Sequence, residues 1–465
     1  MNRIHHMKTR LAAVRLTALL LAGLLLLSGC GLGSRFLPES NNLPEPGSFY
    51  TTGSTDHDSP ADNETPGPQT STRLETVVET ITEGSESEID PSDTNHSTDS
   101  TSETSRQATT TQTSQAARRD IDEAFSREAA RLMHEQLEEM KRELVLDSLF
   151  EQYWISESQV DGVVTLLYDV FQQVINQNPW FFYLNGSARM SYSLLTGSES
   201  KVKSLSLQPE YHAFADGMTN TELRTLISQV DQVVEQSTQA IRQQTAEPWQ
   251  QLRLAHQFLI RRITYDETEN QDHNHAASAL LDGLTLCQGY AQAFQMIGLR
   301  LGHDVRMITG ESNGQGHAWN LVQLNGQFYH VDVTHDDPIP DRGPDQPVRH
   351  LHFMRSDQMM RETHIWQADS FPAAPQDGAH YYRQTGRTAG TAEEMENLIG
   401  GHLSQHDFTE QDIFFMELLY TGDSLPAREA VERVMEEALQ NNQTSGQVYY
   451  RIHLGKSVVI VEVFT

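Results

Sequence analysis

Hydrophobic positions divide the chain into periodic segments separated by breakers. From Asp122 to Val145 apolar residues recur at helical spacing, with acid–base pairs four residues apart on the polar side, which predicts a helix. A second helix is predicted over 160–176 and is broken by Asn178-Pro179. Short strands are expected at Phe181–Tyr183 and Lys201–Leu207, then amphipathic helices from Asn220 to Thr245 and from Pro248 to Ile263. After Cys287, Ala291, Phe294, Ile297/Gly298 and Leu301 mark one face of a helix that Gly302 stops. Asn325-Gly326 lies between two alternating runs, the strongest short-range hairpin signal. Beyond Thr391 the pattern reads helix, strand (Ile413–Tyr420), helix (Leu425–Leu439) and a final hairpin, Gln447–His453 with Ser457–Phe464.

From Gly31 to Ala117 no period of 2 or 3.6 is sustained. The stretch is Ser, Thr, Glu, Asp, Pro and Gly without a lysine, and is expected to be a disordered, self-repelling linker. Ahead of it, Arg3, Lys8, Arg10 and Arg15 precede an uncharged Leu/Ala run from Leu16 to Leu27. At about twelve residues the run is short of the roughly twenty that span a bilayer, so it reads as a secretory signal. Its end, Leu27-Ser28-Gly29-Cys30, resembles the lipobox of bacterial lipoproteins, which implies lipidation of Cys30 and cleavage just before it. The organisation expected is a signal peptide (1–29), a linker (30–117), an α-rich region (118–247), a catalytic domain (248–385) and a small C-terminal α/β domain (386–465).

Over 465 residues the formal charge is −31, which argues against nucleic acid and anionic lipid surfaces as partners. Two cysteines exclude a disulfide-stapled scaffold, and Cys287 alone remains if Cys30 is acylated. Cys287 falls at a predicted helix start, where the dipole and unpaired N–H groups stabilise a thiolate and steady an oxyanion. A two-residue turn at Asn325-Gly326 puts Leu324 opposite Gln327, Trp319 opposite Asp332 and His317 opposite Thr334. His317 and Asp332 then share a face as diagonal neighbours, within reach of an imidazole–carboxylate hydrogen bond. A thiolate and a histidine oriented by an aspartate is what nucleophilic acyl transfer needs. Parity leaves His330 open as the base, because it shares that face. His335-Asp336-Asp337, His350 and His352 lack the tight ligand spacing of a zinc enzyme, so neither metal nor cofactor is expected.

The segment from Tyr265 to Pro338 resembles the transglutaminase-like superfamily, in its bacterial secreted branch. The motifs are Cys287-Gln288-Gly289-Tyr290-Ala291, Gly316-His317-Ala318-Trp319-Asn320 and His330-Val331-Asp332-Val333-Thr334. The resemblance implies an α+β fold with a papain-like core, in which the cysteine's helix packs on an antiparallel sheet. It implies Cys287 as nucleophile, His317 as general base and acid, and Asp332 as orienter, which decides between His317 and His330. Tyr290, Trp319 and His335 are candidate substrate-lining residues, His335 standing where the family usually has Trp. The activity implied is thiol acyl transfer on amide bonds of peptides or proteins, as a peptidase, amidase or transglutaminase. The expected setting is the extracytoplasmic face of the cell membrane, with an anchor at Cys30 and peptide substrates of the envelope. The competing class is a non-catalytic module whose cleft grips such peptides.

Overall fold

The computed structural model describes residues 74–82, 121, 123–196, 200–338, 346–406, 413–423, 428–441, 449–454 and 458–464. The signal segment, Cys30 and most of the expected linker lie outside these residues. Among the described residues no helix is long and apolar enough to cross a membrane.

The first layer is a four-stranded sheet of β1 (Leu74–Thr82), β2 (Leu144–Val145), β3 (Leu184–Thr196) and β4 (Lys201–Tyr211), in the order β1-β3-β4-β2. Here the sequence expectation needs three corrections. Leu74–Thr82 was expected to carry no regular element, yet it pairs in parallel with β3 along its whole length. Its Val, Ile and Thr residues favour extended backbone, and adding an edge strand needs only backbone partners. Helix α1 (Glu123–Glu138) ends short of Val145 because Met140 takes φ +59 and turns the chain. Gln136 then clasps the returning strand, its amide bonding the Val145 N–H and carbonyl at 2.9 and 3.0 Å. Helix α2 (Val160–Gln177) is followed by a 3₁₀ turn, Pro179–Phe181, and the strand expected at Phe181–Tyr183 begins only at Leu184. Proline's missing N–H and fixed φ suit the first position of such a turn.

The second layer carries the site. Helix α3 (Asn220–Gln244) starts with a Thr219–Glu222 capping box. Helix α4 (Pro248–Arg262) starts with Glu247 accepting from the amides of Trp249 and Gln250. Two short parallel strands, β5 (Thr264–Tyr265) and β6 (Leu284–Thr285), lead into α5 (Cys287–Leu301), which Gly302 ends at φ +99. Helix α5 packs against both α3 and α4 and is buried continuously from Gly289 to Gly298. Arg300 near its end is ion-paired with Asp231 and with Glu235 (2.8 Å) of α3.

Behind α5 lies an antiparallel sheet of β7 (Val305–Ser312), β8 (Gln315–Leu324), β9 (Gln327–Val331), β10 (Phe353–Arg355) and β11 (His364–Ile365), in the order β10-β9-β8-β7-β11. A helical turn, α6 (Val333–Asp336), follows β9. The C-terminal unit comprises β12 (Thr388–Ala389), α7 (Ala392–Leu403), β13 (Ile413–Tyr420), α8 (Arg428–Asn441), β14 (Tyr449–Leu454) and β15 (Val458–Phe464). Its sheet order is β12-β13-β15-β14. It keeps a core of its own, including Ile399, Leu418, Met435 and Val461. The main core runs without a break from Phe125 through Phe171, Leu252 and Phe294 to Phe353. It therefore crosses residues 247/248, and the α-rich region and the site-bearing sheet share one interior. The class is α+β.

Candidate active site

Cys287 is the first residue of α5, and Leu286, at the N-cap, offers no side chain to the opening amides. The amide of Gln288 is instead held by Asn274 Oδ1 at 3.0 Å. Close packing fixes this helix start. A Cβ at Gly289 would come within 1.9 Å of Thr285 Oγ1 and 2.9 Å of the His275 carbonyl, so no other residue fits there unstrained. The thiol is half-buried, beside Ala291, Met307 and Ala318.

The hairpin brings the other two residues to it. Asn325 (φ +51) and Gly326 (φ +80) make the type I′ turn, and Leu324 pairs with Gln327. The β8–β9 ladder runs to Asn320–Val331 and stops there, one residue before the expected Trp319–Asp332 pair. Asp332 instead caps α6, Oδ1 accepting from the His335 amide at 3.2 Å. The expected His317–Thr334 pairing is therefore absent, because Thr334 lies in that helical turn. Aspartate is a preferred N-cap residue, and this preference ends the strand. The side chains still meet: His317 Nε2 donates to Asp332 Oδ2 at 2.8 Å. The same imidazole hydrogen-bonds Cys287, and with Nε2 engaged the contact falls to Nδ1.

Asp332 is fully buried and accepts more than one imidazole. His364 Nε2 reaches Oδ2 at 3.0 Å, and His335 Nδ1 bonds the same oxygen. Burial alone would push this carboxyl up, but the neighbouring imidazoles hold it well below the usual carboxylate range. For His317, burial opposes charge, yet Asp332 and the Cys287 thiolate together raise it to about 10. Burial likewise pushes the Cys287 thiol up. The His317 hydrogen bond and charge and the Ala318 backbone N–H outweigh it, and the thiol falls below its ordinary value. Both shifts favour the thiolate–imidazolium form of the pair.

Residues 235–333 match the family model of the transglutaminase-like superfamily. This part of the chain is transglutaminase-like. Three solved structures are also similar. One is a TGase, 11% identical, covering 45% of this chain and 68% of that one, with a TM-score of 0.24. The second, a proposed cysteine protease from Cytophaga hutchinsonii, is 12% identical over 33% of this chain and 66% of that one (TM-score 0.21). The third is a proposed protease from Parabacteroides distasonis, 9% identical over 59% of this chain and 65% of that one (TM-score 0.17). Among curated proteins, none matches.

Within the transglutaminase-like segment, His330 is spoken for. Its Nδ1 accepts from Trp319 Nε1 (3.0 Å), so Nε2 carries the proton and donates to Asp357 (2.8 Å). Two of the expected lining residues are interior instead. Tyr290 is fully buried, with its hydroxyl on Asp337, because α5 turns that face into the core. Trp319 is buried and stacks on the His317 ring (5.8 Å between centroids), backing the imidazole rather than facing solvent. His335 remains 28% exposed, but its ring lies edge-on to His317 and binds Asp332. Sequence reasoning missed His364, which reaches Asp332 from a two-residue edge strand 32 positions away. No periodic signal marks so short a strand. It also expected no metal site, yet His317, Asp332, His335 and His364 place one ligand atom each within 4.8 Å of one another. Spacing along the chain hid the set, since its members come from three separate places: β8, the head of α6 and β11.

Proposed function

We propose that this protein is a thiol acyl-transfer enzyme acting on amide bonds of peptides or proteins at the cell envelope, tethered through lipid on Cys30. The observation that carries the reading is His317, hydrogen-bonded to Cys287 on one side and to Asp332 on the other. The Cys287 thiolate attacks the amide carbonyl carbon and a C–S bond forms. The carbonyl oxygen becomes an oxyanion at the head of α5, where the Cys287 amide is available and that of Gln288 is engaged by Asn274. His317 passes its Nδ1 proton to the departing nitrogen, the C–N bond breaks, and a thioester remains. Water or an amine then attacks the thioester, giving its proton to His317, and the C–S bond breaks with Cys287 leaving as the thiolate, which restores the starting pair. Asp332 holds the ring and stabilises the imidazolium throughout. Water is abundant at a surface site, which favours hydrolysis over transfer to an amine.

The test is to trap the acyl-enzyme from cell-envelope extract on full-length protein and to identify the acyl group by mass spectrometry. A thioester on Cys287, lost in Cys287→Ala and not formed by His317→Ala, is the expected result. A thiol that stays unacylated and reacts with iodoacetamide no faster than free cysteine would leave the cleft as a binding module only. For the anchor, Cys30→Ala is expected to leave an uncut precursor or to release the protein from membranes. Normal processing and unchanged membrane partition in that variant would remove the lipid tether from the proposal.

A further inference from the structure

Acyl transfer asks one imidazole of its orienting carboxylate, whereas Asp332 has three. His335 and His364 contribute nothing to the steps above, although one is wholly buried and the other largely so. Three nitrogens, His317 Nε2, His335 Nδ1 and His364 Nε2, converge on a single oxygen, Asp332 Oδ2. Their far sides are fixed as well. Ser312 Oγ lies 3.2 Å from His335 Nε2, and Thr363 Oγ1 lies 2.8 Å from His364 Nδ1. A hydroxyl serves either tautomer: it donates to the far nitrogen while the near N–H faces Asp332, and it accepts from the far N–H once the near nitrogen has released its proton to bind a metal. Imidazoles steered in this way by a partner on the second nitrogen are characteristic of metal-ligating histidines.

We propose that His317, Asp332, His335 and His364 form a reversible site for a borderline divalent transition metal, zinc above all, which switches the base off. Three imidazoles and one carboxylate make a four-coordinate nitrogen-rich set suited to zinc, and too poor in oxygen for calcium or magnesium. With ligand atoms already within 4.8 Å of one another, closing to a tetrahedral site moves the rings together by at most about 1.5 Å. The cation takes the place now held by Oδ2, and the carboxylate draws back by about 2 Å to become the fourth ligand.

The consequence for catalysis rests on the function proposed above, and the binding does not. In the metal-free site His317 gives up and regains a proton at Nδ1 while Nε2–H stays on Asp332. With the metal on Nε2, losing the Nδ1 proton would leave an imidazolate. The ring then retains that proton and neither protonates a leaving amine nor accepts a proton from water. Cys287 stands on the far side of the ring and is not a ligand.

Zn²⁺ is titrated into the full-length protein against a chromophoric chelator, with Co²⁺ as a spectroscopic probe of the same site. Wild type and Cys287→Ser are each expected to bind one Zn²⁺ per chain. Co²⁺ should show the visible bands of a tetrahedral nitrogen/oxygen site, without a thiolate charge-transfer band. His335→Gln and His364→Asn should each weaken Zn²⁺ binding by more than the roughly 10–100-fold that losing even an outer-shell partner costs. His335 is partly exposed, so its variant decides the matter if His364→Asn fails to fold by circular dichroism. Loss of binding in Cys287→Ser, or a thiolate band with Co²⁺, would put the metal on the Cys287–His317 pair and overturn the site. Unchanged affinity in His335→Gln would overturn it too. Because the readout is occupancy, a protein that never forms an acyl-enzyme still answers the question.

Discussion

Asp332 must stay ionised to orient His317, and it is buried, which by itself favours the neutral acid. The imidazoles around it settle the balance. Replacing it with Asn keeps the volume but presents an amide where an acceptor is needed, so His317 is held in the wrong tautomer. Asp332→Asn is therefore expected to lower turnover by up to about 10⁴, with the fold checked by circular dichroism. His330→Gln should cost far less, because that ring serves Trp319 and Asp357 rather than the thiol. Equal damage from His330→Gln and His317→Ala in folded protein would shift the base to His330. The thiol itself gives a pH signature. In the wild type the alkylation rate of Cys287 should hold its thiolate plateau below the free-cysteine pKa of about 8.5. In His317→Ala the imidazolium is gone and only the Ala318 N–H still opposes burial and the Asp332 charge, so the midpoint should move upward.

Elements, more than residues, were legible in the sequence. The Cys287 helix and its Gly302 stop follow from one apolar face and one glycine, and the Asn325-Gly326 turn fixes the register of β8 against β9. Inserting one residue in that turn should be nearly as harmful to turnover as Asp332→Asn, since a one-residue slip exchanges the two faces. Gly289→Ala tests the head of α5. The new methyl would meet Thr285 Oγ1, and overpacking of this kind costs about 1–3 kcal/mol, read as a lowered thermal midpoint. Illegible were the features set by tertiary contact. Asp332 reads equally well as the end of a strand or as a helix cap, and only the chain after it decides. Strand β1 has no alternation to announce it and exists by pairing with β3. His364 sits on two residues of ladder, too few for any periodicity.

Across the whole molecule, the C-terminal unit meets the site-bearing layer through a buried acid. Glu417 on β13 accepts from the His350 amide at 3.1 Å. Burial first, and then the nearby Asp336 charge, push its carboxyl well above the usual range despite the opposing influence of Arg349 and the His350 N–H. The folded chain thus retains a proton that the unfolded chain releases near pH 4.3. Stability from this group is complete below that value and declines as pH rises toward the folded pKa. Glu417→Gln keeps the volume and an acceptor for His350 but does not titrate. Its thermal midpoint should fall less than that of the wild type between pH 5 and 8, and parallel curves would assign the pH dependence to other groups.

Strand β11 holds on to β7 by only two residues, and Ile365 within it is 69% exposed. Such an edge belongs to the least stable part of a fold and breathes open far more often than the sheet centre. Each opening withdraws one imidazole from Asp332 while the β8–β9 hairpin stays shut. Hydrogen exchange should accordingly divide the site in two: fast amides at 364–365, slow ones at 317–322. The clamp on the carboxylate is then governed by the fraying of a sheet margin, and a mutation that tightens that margin would reach the Cys287 thiol without touching it.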